Sequence, residues 1–408
     1  MPSIEKQKVC VLGAGVIGVT TAWLLRKKGF DVSVVESEVS VAMGTSFANG
    51  AQISVSNAMP WAAPDTPLRI LQSFIGKNRG IFISPRLSFK QWAWGMQFLW
   101  NCRSSVAQNN LEKMVAICVR SRELYNELLK QRPIDFDCLG NGILHLYFDI
   151  KEYESAKRVQ SKWGKCLAGH REDLGVSEML SIEPALEPIK DKIVGGFYAA
   201  EDMTGNAYKF SVALAEMCAQ EGVQFHYETR ALSLKPEKKK VVVVTDKDEF
   251  CVDHAVCCLG VHSEDLLKPL DISTAIYPVK GYSITTKLGD ADKDVPMVSI
   301  LDESSKIVMT RLGEYLRVAG IAEVSDYNTD INPHRIELLT QWMGTFFPHI
   351  PLRDVSVWMG LRPLSPSNLP YVGASKHPRV WLNCGHGTLG WTAAMGTAEQ
   401  LACDILTF

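Results

Sequence analysis

The feature that most limits what this chain can fold into is its opening unit, an apolar run, a glycine-rich turn and a second apolar run ending in an acid. The glycines are Gly13, Gly15 and Gly18, and the acid is Glu36. In a strand–turn–helix–strand unit of this kind, the glycines allow a tight turn, close approach of a pyrophosphate and packing of helix on strand, while the acid binds ribose hydroxyls. The first helical turn directs N–H groups at the pyrophosphate. The sequence therefore predicts a Rossmann-type nucleotide-binding unit.

The composition is that of an ordinary globular protein. Hydrophobic residues make up 46% and charged residues 22% of the 408 residues, a length that predicts two domains or one bilobed unit. The formal net charge of -2 leaves no basic surplus for binding nucleic acid. Eleven cysteines without a Cys-x-x-Cys pair, and histidines without metal-ligand spacing, predict reduced thiols and no metal site.

A tryptophan-rich segment allows two interpretations. It contains Trp92, Trp94 and Trp100 and follows a group of basic residues, Arg69, Lys77, Arg79, Arg86 and Lys90. The segment is compatible with a core helix and with a surface helix at a membrane interface, where Trp and basic residues are favoured. No apolar run reaches the roughly 18 residues of a membrane span, and no signal peptide is recognisable. We expect a cytoplasmic protein, with peripheral contact to the cytoplasmic face of the inner membrane as a hypothesis.

A second glycine-rich turn near the end of the chain predicts that the nucleotide-binding domain is discontinuous. The strand 380–384 runs into Gly385-His-Gly-Thr-Leu-Gly390 and a terminal helix, which directs further N–H groups at the same cofactor. We predict an α/β fold, in which a Rossmann-type domain carries an inserted α+β substrate domain built on a large mixed sheet. The nucleotide-binding domain is assigned residues 1–84, 190–262 and 359–408, and the substrate domain residues 85–189 and 263–358.

Short motifs along the whole chain carry a family resemblance. Besides the N-terminal turn they are 45–54 (TSFANGAQIS), 60–64 (PWAAP), 277–284 (YPVKGYSI), 301–303 (LDE), 360–363 (GLRP) and 385–391 (GHGTLGW). In this order they resemble the D-amino acid dehydrogenase branch of the flavin-dependent D-amino acid oxidase superfamily. The chain departs from the family at one place, where an Asp-Gly pair usually follows the Arg-Pro turn and this chain has Ser365-Pro-Ser-Asn-Leu-Pro370.

The resemblance implies that the nucleotide-binding domain holds FAD noncovalently. Glu36 suits this cofactor because a carboxylate on the ribose disfavours the phosphorylated ribose of NADP. The first motif alone is also compatible with NAD, and the C-terminal glycine turn favours FAD. The predicted FAD-binding residues are Gly13, Gly15, Val16, Ile17, Gly18, Glu36, Ser46, Asn49, Gly50, Gln52, Gly260, Gly385, His386, Gly387, Thr388 and Leu389.

The reaction that the resemblance implies is oxidative deamination. A hydride leaves the α-carbon for flavin N5, and the imine then hydrolyses to a 2-oxo acid and ammonia. A substrate carboxylate is best held by a guanidinium that makes two parallel hydrogen bonds. Arg362 matches the family's carboxylate-binding position, with an ion pair at a domain seam as the alternative, and Arg311 is a second candidate. Tyr282 is predicted to lend its phenol to the substrate, and Gln52 to hydrogen-bond substrate or flavin; half-buried packing is the alternative for Tyr282.

Several other polar residues are interpreted as noncatalytic. His386 is assigned to the flavin side rather than to a base, because the amine can lose its proton before hydride transfer. Asp302 and Glu303 are predicted to form a solvated loop pair, with orientation of Arg311 or of the substrate amine as the alternative. The remaining histidines, among them His145, are predicted to be structural or surface residues.

The predicted protein is an FAD-dependent D-amino acid dehydrogenase that takes an amino acid as its small-molecule substrate and passes electrons to a quinone or another respiratory acceptor. Alternatives with the same chemistry are a dehydrogenase for D-proline or hydroxyproline and a glycine- or sarcosine-type oxidase. A noncatalytic or tRNA-modifying flavoprotein is the alternative class, and the near-neutral charge argues against the tRNA version. The preferred side chain, the choice between oxidase and dehydrogenase, and the oligomeric state stay open.

Overall fold

The computed structural model describes residues 6–74, 80–84, 88–163, 171–289, 292, 294–324 and 326–408. Their α-helices are α1 (Val16–Lys27), α2 (Thr66–Phe74), α3 (Phe89–Asn101), α4 (Ser104–Gln131), α5 (Ile150–Trp163), α6 (Val176–Ile182), α7 (Ala207–Gln220), α8 (Ser263–Leu267), α9 (Pro333–Phe346) and α10 (Gly390–Leu406). Their β-strands are β1 (Lys8–Leu12), β2 (Asp31–Val35), β3 (Gln52–Ile53), β4 (Ile81–Ile83), β5 (Ile143–Tyr147), β6 (Arg171–Leu174), β7 (Gly195–Ala199), β8 (Met203–Thr204), β9 (Gln224–His226), β10 (Ala231–Pro236), β11 (Val241–Thr245), β12 (Glu249–Val252), β13 (His254–Cys257), β14 (Tyr277–Lys287), β15 (Ser299–Asp302), β16 (Ile307–Leu312), β17 (Tyr315–Val324), β18 (Ser356–Leu364), β19 (Tyr371–Ala374) and β20 (Val380–Cys384).

The first sheet has the strand order β19–β20–β13–β1–β2–β9, and its neighbours are parallel except for β19. Its central strand β1 is apolar without alternation because both faces are covered. Val9 and Val11 pack with α1, α7 and α10, whereas Cys10 and Leu12 pack with the β10–β12 meander and α8. Parallel strands end at one edge, so the turns after β1, β13 and β20 lie side by side there. The structure confirms the predicted Rossmann-type unit.

The second sheet is large and mixed, with the order β18–β14–β17–β16–β15–β5–β7–β6 and β4 paired to β17. The β15–β5 and β17–β4 pairs are parallel, and the other pairs are antiparallel. One face packs on α9, where Leu339, Trp342 and Met343 join an apolar core with Ile284 and Val318. Alternate residues point to the other face, which receives a loop from the first sheet. The predicted mixed-sheet architecture is confirmed.

Two strands lie in a different sheet from the one implied by the predicted domain boundaries. The predicted boundaries place residues 190–262 and 359–408 in the nucleotide-binding domain, yet β7 hydrogen-bonds β5 and β18 hydrogen-bonds β14 in the large sheet. Backbone hydrogen bonds to β5 and β14, rather than position along the chain, determine which sheet β7 and β18 belong to. The division into two domains stays a proposal, in which we place β7 and β18 with the substrate domain.

Candidate active site

The turn between β1 and α1 leaves no room for side chains at two of its glycines. Gly13 has a φ of +95°, and a Cβ placed on it would lie 2.9 Å from the carbonyl oxygen of Cys258. A Cβ on Gly18 would lie 1.8 Å from the carbonyl oxygen of Gly13. Any side chain at these positions would separate the first helical turn from β1 and β13. The glycines at 13 and 18 are therefore requirements of the backbone.

The third glycine borders open space. A Cβ on Gly15 would have Ser46 Oγ as its nearest neighbour, at 3.6 Å. The same hydroxyl oxygen accepts the N–H of Val16 at 3.1 Å, at the start of α1, where Ile17 follows. A helix N-terminus with backbone N–H groups directed at an open space is a site for a phosphate group. These residues fit the pyrophosphate of a dinucleotide.

Glu36 stands beside this turn, directly after β2. Its Oε2 accepts the N–H of Ala14 at 2.6 Å, and its Oε1 accepts the N–H of Glu38 at 2.9 Å. The two backbone donors hold the carboxylate at the carboxyl end of the strand, next to the pyrophosphate position. This is where an acid binds the ribose in a nucleotide-binding fold, and the ribose contact itself stays a prediction.

The C-terminal glycine turn lies on the same edge of the sheet. Gly260 follows β13 and Gly385 follows β20, with φ values of +57° and +79°, and Gly387 has a φ of +58°. His386 Nε2 lies 3.1 Å from Thr397 Oγ1, and burial lowers the pKa of this histidine to about 3. A neutral imidazole with a bound ring nitrogen fits a flavin-side role better than that of a base. Thr388 is exposed and Leu389 buried just before α10 begins.

The loop of residues 44–56, which we call the cofactor loop, crosses the large sheet strand by strand. Each successive part of the loop meets the next strand, from β18 at one end to β5 at the other. In order, the contacts are Thr45 Oγ1 to the Leu361 carbonyl at 2.7 Å, Ser283 Oγ to the Ala48 carbonyl at 2.9 Å, Arg317 Nη1 to the Asn49 carbonyl at 3.4 Å, Thr310 Oγ1 to the Gly50 carbonyl at 3.5 Å, Gln52 Nε2 to Ser299 Oγ at 2.8 Å, and Ser56 Oγ with His145 Nε2 at 3.3 Å. The loop thereby fixes the nucleotide-binding edge to one face of the large sheet.

Arg362 lies on this face of the large sheet. A Cβ on Gly281 would be 2.3 Å from the guanidinium carbon of Arg362, so the guanidinium covers this glycine. Ser283, two residues further along β14, contacts the cofactor loop from the same face. Nη1 donates to the carbonyls of Lys280 at 3.2 Å and Ile321 at 2.9 Å. Burial lowers the pKa of Arg362 to about 10, and no carboxylate of the described residues forms an ion pair with it.

The two carbonyls that accept from Arg362, those of Lys280 and Ile321, belong to an irregular part of the sheet. The β14–β17 register shifts between Lys280 and Tyr282, so Gly281 lies in a bulge. On the facing strand Ile321 has a φ of +59°, an unusual conformation for a β-branched residue. Such strain persists where the surroundings impose it and concentrates at functional sites. Gly281 in the bulge makes room for the guanidinium, and the irregular backbone turns the carbonyls of Lys280 and Ile321 toward it.

Two of the predicted substrate residues lie away from this face. Thr310 contacts the cofactor loop, so Arg311, the next residue of β16, points to the opposite face, where it donates to the Gly313 carbonyl and Met297 Sδ. Tyr282 likewise alternates with Ser283, and its hydroxyl donates to Glu323 Oε2 at 3.3 Å within the α9-side core. Burial and Glu323 raise the pKa of Tyr282 to about 12. Arg311 and Tyr282 therefore lie away from the face that meets the cofactor loop, and Tyr282 packs in the α9-side core.

Arg317 is a functional candidate that stands in no sequence motif. It is 7% exposed, donates from Nη1 to the Asn49 carbonyl and from Nε to Thr285 Oγ1, and burial lowers its pKa to about 10. No described carboxylate forms an ion pair with this guanidinium. Its position directly opposite Thr310 on the neighbouring strand is visible only once the strand register is known. The sequence holds one signal for it: if β16 and β17 form a hairpin, Arg317 pairs with Thr310 and therefore lies on the face opposite to that of Arg311.

The acidic pair Asp302 and Glu303 is buried, which corrects its interpretation as a solvated loop pair. Asp302 is 1% exposed and accepts the indole N–H of Trp342 at 2.8 Å. The side chain of Glu303 is 7% exposed and contacts His145 and Lys306. Neither acid contacts Arg311 in these bonds, because both point into the packed body of the sheet rather than out of the turn.

The departure from the family's Asp-Gly pair is accommodated by the turn after β18. Asn368 has a φ of +63°, a conformation that Gly adopts freely and Asn tolerates. Its Oδ1 accepts the N–H of Ala62 at 2.9 Å, a tie that glycine cannot make. The turn lines a small cavity together with residues of the C-terminal glycine turn and of α4, which are His386, Thr388, Leu389, Asn110 and Met114. Asn368 thus keeps the turn and connects it to the PWAAP segment.

The fold and the glycine cradle define a dinucleotide-binding protein, and comparison with known proteins gives the class. The family model described as DAO, FAD dependent oxidoreductase, matches residues 8–403. The D-amino acid dehydrogenase of Dechloromonas aromatica is 38% identical over 405 residues, covering 97% of this chain and 96% of that protein. The D-amino acid dehydrogenase of Rhizobium johnstonii is 38% identical over 399 residues, covering 97% of this chain and 94% of that protein. Glycine oxidase from Geobacillus kaustophilus is similar in structure, with a TM-score of 0.74 at 18% identity, over 98% of this chain and 95% of that chain.

The chain therefore belongs to the DAO family of FAD-dependent oxidoreductases. It is an enzyme, and its cofactor is FAD. The open space over Gly15, the α1 N-terminus and the acid after β2 fit that cofactor. The similarity to glycine oxidase, at 18% identity, supports the fold only.

Proposed function

We propose that this enzyme oxidatively deaminates D-amino acids to 2-oxo acids and ammonia. The relatives named D-amino acid dehydrogenase, at 38% identity over nearly their whole length, support the substrate class. The observation that carries the proposal is Arg362, a half-buried guanidinium without a described carboxylate partner on the face that meets the cofactor loop. A guanidinium that is partly withdrawn from water and has no counter-charge is well suited to bind an anion with its free N–H groups. An amino-acid carboxylate supplies that anion.

The residues of the chain bind and orient the substrate in this proposal. Arg362 uses its N–H groups not engaged by the Lys280 and Ile321 carbonyls to hold the carboxylate, which fixes the α-carbon relative to the cofactor loop. The backbone around Gly50 and Gln52 is held to the sheet, so that the distance between substrate and cofactor sites is preset. When bound, FAD supplies the two-electron acceptor for the hydride from the α-carbon. His386, neutral over the working pH range, takes no proton from the substrate amine.

The test is the visible spectrum of the purified holoenzyme under anaerobic conditions. D- and L-alanine, D- and L-proline, glycine and sarcosine are added in turn, and the flavin absorbance is followed. Bleaching by D-alanine but not L-alanine supports the proposal. Bleaching by glycine or sarcosine alone transfers the enzyme to that substrate class. A yellow protein that none of these compounds bleaches refutes amino-acid oxidation while leaving the family assignment in place.

For the electron acceptor we propose a membrane quinone, reached by peripheral docking of α3. One stripe of this helix carries Phe89, Trp92, Met96 and Trp100, which are 60–90% exposed, and the side chain of Trp94 is buried against the protein. Residues spaced by three and four positions share one helix face. An exposed stripe of aromatic and large apolar side chains fits the interfacial region of a bilayer.

The charge around this stripe is only partly described. The guanidinium of Arg103 lies 3.3 Å from the ring centroid of Trp100, next to the stripe. Lys90 pairs with Glu264. Lys77, Arg79 and Arg86 lie outside the described residues, as does the side chain of Arg69. Within the part of the chain that the structure describes, no helix is both long and apolar enough to span a bilayer.

Vesicle cosedimentation tests the docking. The double variant Trp92→Ser, Trp100→Ser should lose most of its binding to vesicles that contain anionic lipid. A matched control changes two exposed apolar residues elsewhere, Val39→Ser and Leu232→Ser, and should bind like the wild type. Equal binding by both double variants refutes docking through α3. Reoxidation of the substrate-reduced enzyme by a soluble quinone much faster than by dissolved oxygen would support the acceptor.

A further inference from the structure

A chain of buried polar groups connects the end of the cofactor loop to the far side of the large sheet. The Asp202 carboxylate accepts the hydroxyls of Ser54 at 2.8 Å and Ser56 at 2.5 Å. His145 Nε2 lies 3.3 Å from Ser56 Oγ, and its Nδ1 lies 2.8 Å from Glu303 Oε1. Ser56 and His145 are fully buried, and Asp202 is 2% exposed. Buried polar networks of this kind hold one arrangement only when every member is satisfied.

At its other end the network reaches the edge of the first sheet where the glycine turns lie. The N–H of Ser54 donates to Thr392 Oγ1 at 3.1 Å, and Thr392 lies in the first turn of α10, directly after the C-terminal glycine turn. The N–H of Val55 donates to Asp202 at 3.0 Å, so the backbone of the loop is held as well as its side chains. A change at His145 therefore reaches the segment 52–56, and through it the N-terminus of α10.

Charged groups face His145 from three elements. Glu303 comes from the β15–β16 turn, Asp202 from the β7–β8 turn and Arg171 from β6, while Lys306 pairs with Glu303. Burial, reinforced by Arg171, lowers the pKa of His145. Although burial alone would raise it, Lys306 and His145 hold the pKa of Glu303 well below its usual range. At neutral pH the ring is thus neutral and its Nδ1–H faces an ionised Glu303.

A count of protons shows that the chain of groups from Glu303 to Ser54 lacks one. Four contacts link its members in order: Glu303 with Nδ1, Nε2 with Ser56, Ser56 with Asp202, and Asp202 with Ser54. Outside this chain, Ser54 Oγ also lies 3.3 Å from Ser56 Oγ. A neutral His145 and two serine hydroxyls supply three protons when both carboxyls are ionised. The distances show which contact lacks a proton, since Ser56 Oγ is 2.5 Å from Asp202 and 3.3 Å from Nε2. A proton added at Nε2 would complete the chain.

We propose that His145 is a positioning residue for the cofactor loop, which takes up one proton at Nε2 and then donates a hydrogen bond to Ser56. The protonated form fixes the segment 52–56 against α10 more firmly than the neutral form does. FAD retention then strengthens, relative to a variant that lacks the donor, as the pH falls below the usual histidine range of about 6.5. Neither His145 nor Glu303 takes part in the chemistry.

Two substitutions separate the ring nitrogens. The amide of His145→Gln reaches the Nε2 position and donates to Ser56 at every pH, whereas the shorter amide of His145→Asn reaches only the Nδ1 position, toward Glu303. The dissociation constant of FAD is measured on the holoenzyme by flavin fluorescence between pH 5 and 8, together with the thermal midpoint. His377→Gln is the control, a partly buried histidine bound to the Leu270 carbonyl and remote from the loop.

The expected results depend on whether Nε2 of His145 carries a proton. His145→Gln should bind FAD about fivefold more tightly than His145→Asn at every pH, the worth of one hydrogen bond, and the wild type should approach His145→Gln as the pH falls. At pH 8 the wild type should resemble His145→Asn. A constant ratio of wild type to His145→Asn across the pH range refutes the proposal. So does an equal loss in both variants with equal loss of thermal midpoint. Because no substrate is used, these outcomes are independent of the proposed deamination.

Discussion

Replacement of Arg362 by methionine is the most direct perturbation of the proposed substrate site, and the same sheet offers a matched control. The Arg362 guanidinium covers Gly281 on the face that meets the cofactor loop. Arg311, on β16, points to the opposite face and bonds the Gly313 carbonyl. Arg311→Met therefore removes an equal charge and volume without touching the proposed carboxylate position.

The magnitude follows from the hydrogen bonds that the substrate would lose. A charge-assisted hydrogen bond contributes about 1.5–3 kcal/mol, so loss of a two-point contact costs the transition state about 3 kcal/mol or more. That corresponds to a fall in kcat/KM of about 100-fold. Stability should change less. Removal of the guanidinium leaves the carbonyls of Lys280 and Ile321 without this donor but also removes a half-buried cation that has no described carboxylate partner. The two effects oppose each other.

The assay is anaerobic reduction of the enzyme-bound flavin at increasing D-alanine, followed by stopped-flow absorbance, with thermal unfolding of the same preparations. The expected result is a large loss for Arg362→Met and a change within about twofold for Arg311→Met. If Arg362 instead belonged to a structural ion pair, its variant would lose several degrees of thermal midpoint and keep its kinetics once folded. That outcome, or equal kinetic losses in both variants, would refute the reasoning.

Three further predictions concern the cradle, the bulge and the buried acid. Glu36→Ala should weaken FAD binding about tenfold in equilibrium dialysis while the flavin that remains bound is reduced normally, because the acid holds ribose and not substrate; unchanged occupancy would contradict this. Gly281→Ala should lower kcat/KM toward that of Arg362→Met, since its Cβ would fall 2.3 Å from the guanidinium carbon; normal kinetics would remove the bulge from the site. The pKa of Glu303 is depressed in the folded protein, so its ionised form stabilises the fold above the unfolded pKa of about 4.3 and that contribution is lost as pH falls. Glu303→Gln should therefore unfold more easily in urea at pH 7 and lose less stability than the wild type between pH 5 and 3.

The nucleotide-binding unit could be predicted in detail because its requirements are local. Gly13 and Gly18 are fixed by contacts within the turn or with the adjacent strand, and such contacts leave a mark at set spacings along the chain. The apolar run of β1 likewise follows from burial on both faces. Strand identity could not be predicted equally well. The strands β7 and β18 carry no sign of which sheet they join, since pairing depends on partners far away along the chain.

The substrate face shows a second limit. On a strand, neighbouring residues point to opposite faces, and when both faces are covered the pattern of apolar residues does not tell which face holds the site. The pairs Thr310 with Arg311 and Tyr282 with Ser283 illustrate this, since in each pair the residue that contacts the cofactor loop is the smaller one. By residue type, Arg311 and Tyr282 are the better candidates for a substrate contact, but the strand register places Thr310 and Ser283 on the face that meets the cofactor loop.

The crossing of the cofactor loop over the large sheet has a consequence for how this enzyme can vary. Contacts from Thr45 at β18 to Ser56 at β5 fasten one loop to six strands, so the position of the flavin-side backbone and that of Arg362 depend on the same register. A slip of one residue between two of these strands would turn every side chain on the moved strand to the other face. It would move the loop contact and the guanidinium anchor together. Substitutions that reshape the substrate site without loss of FAD should therefore lie in turns that do not contact the cofactor loop, such as the Asn368 turn. They should not lie on the six strands beneath the loop.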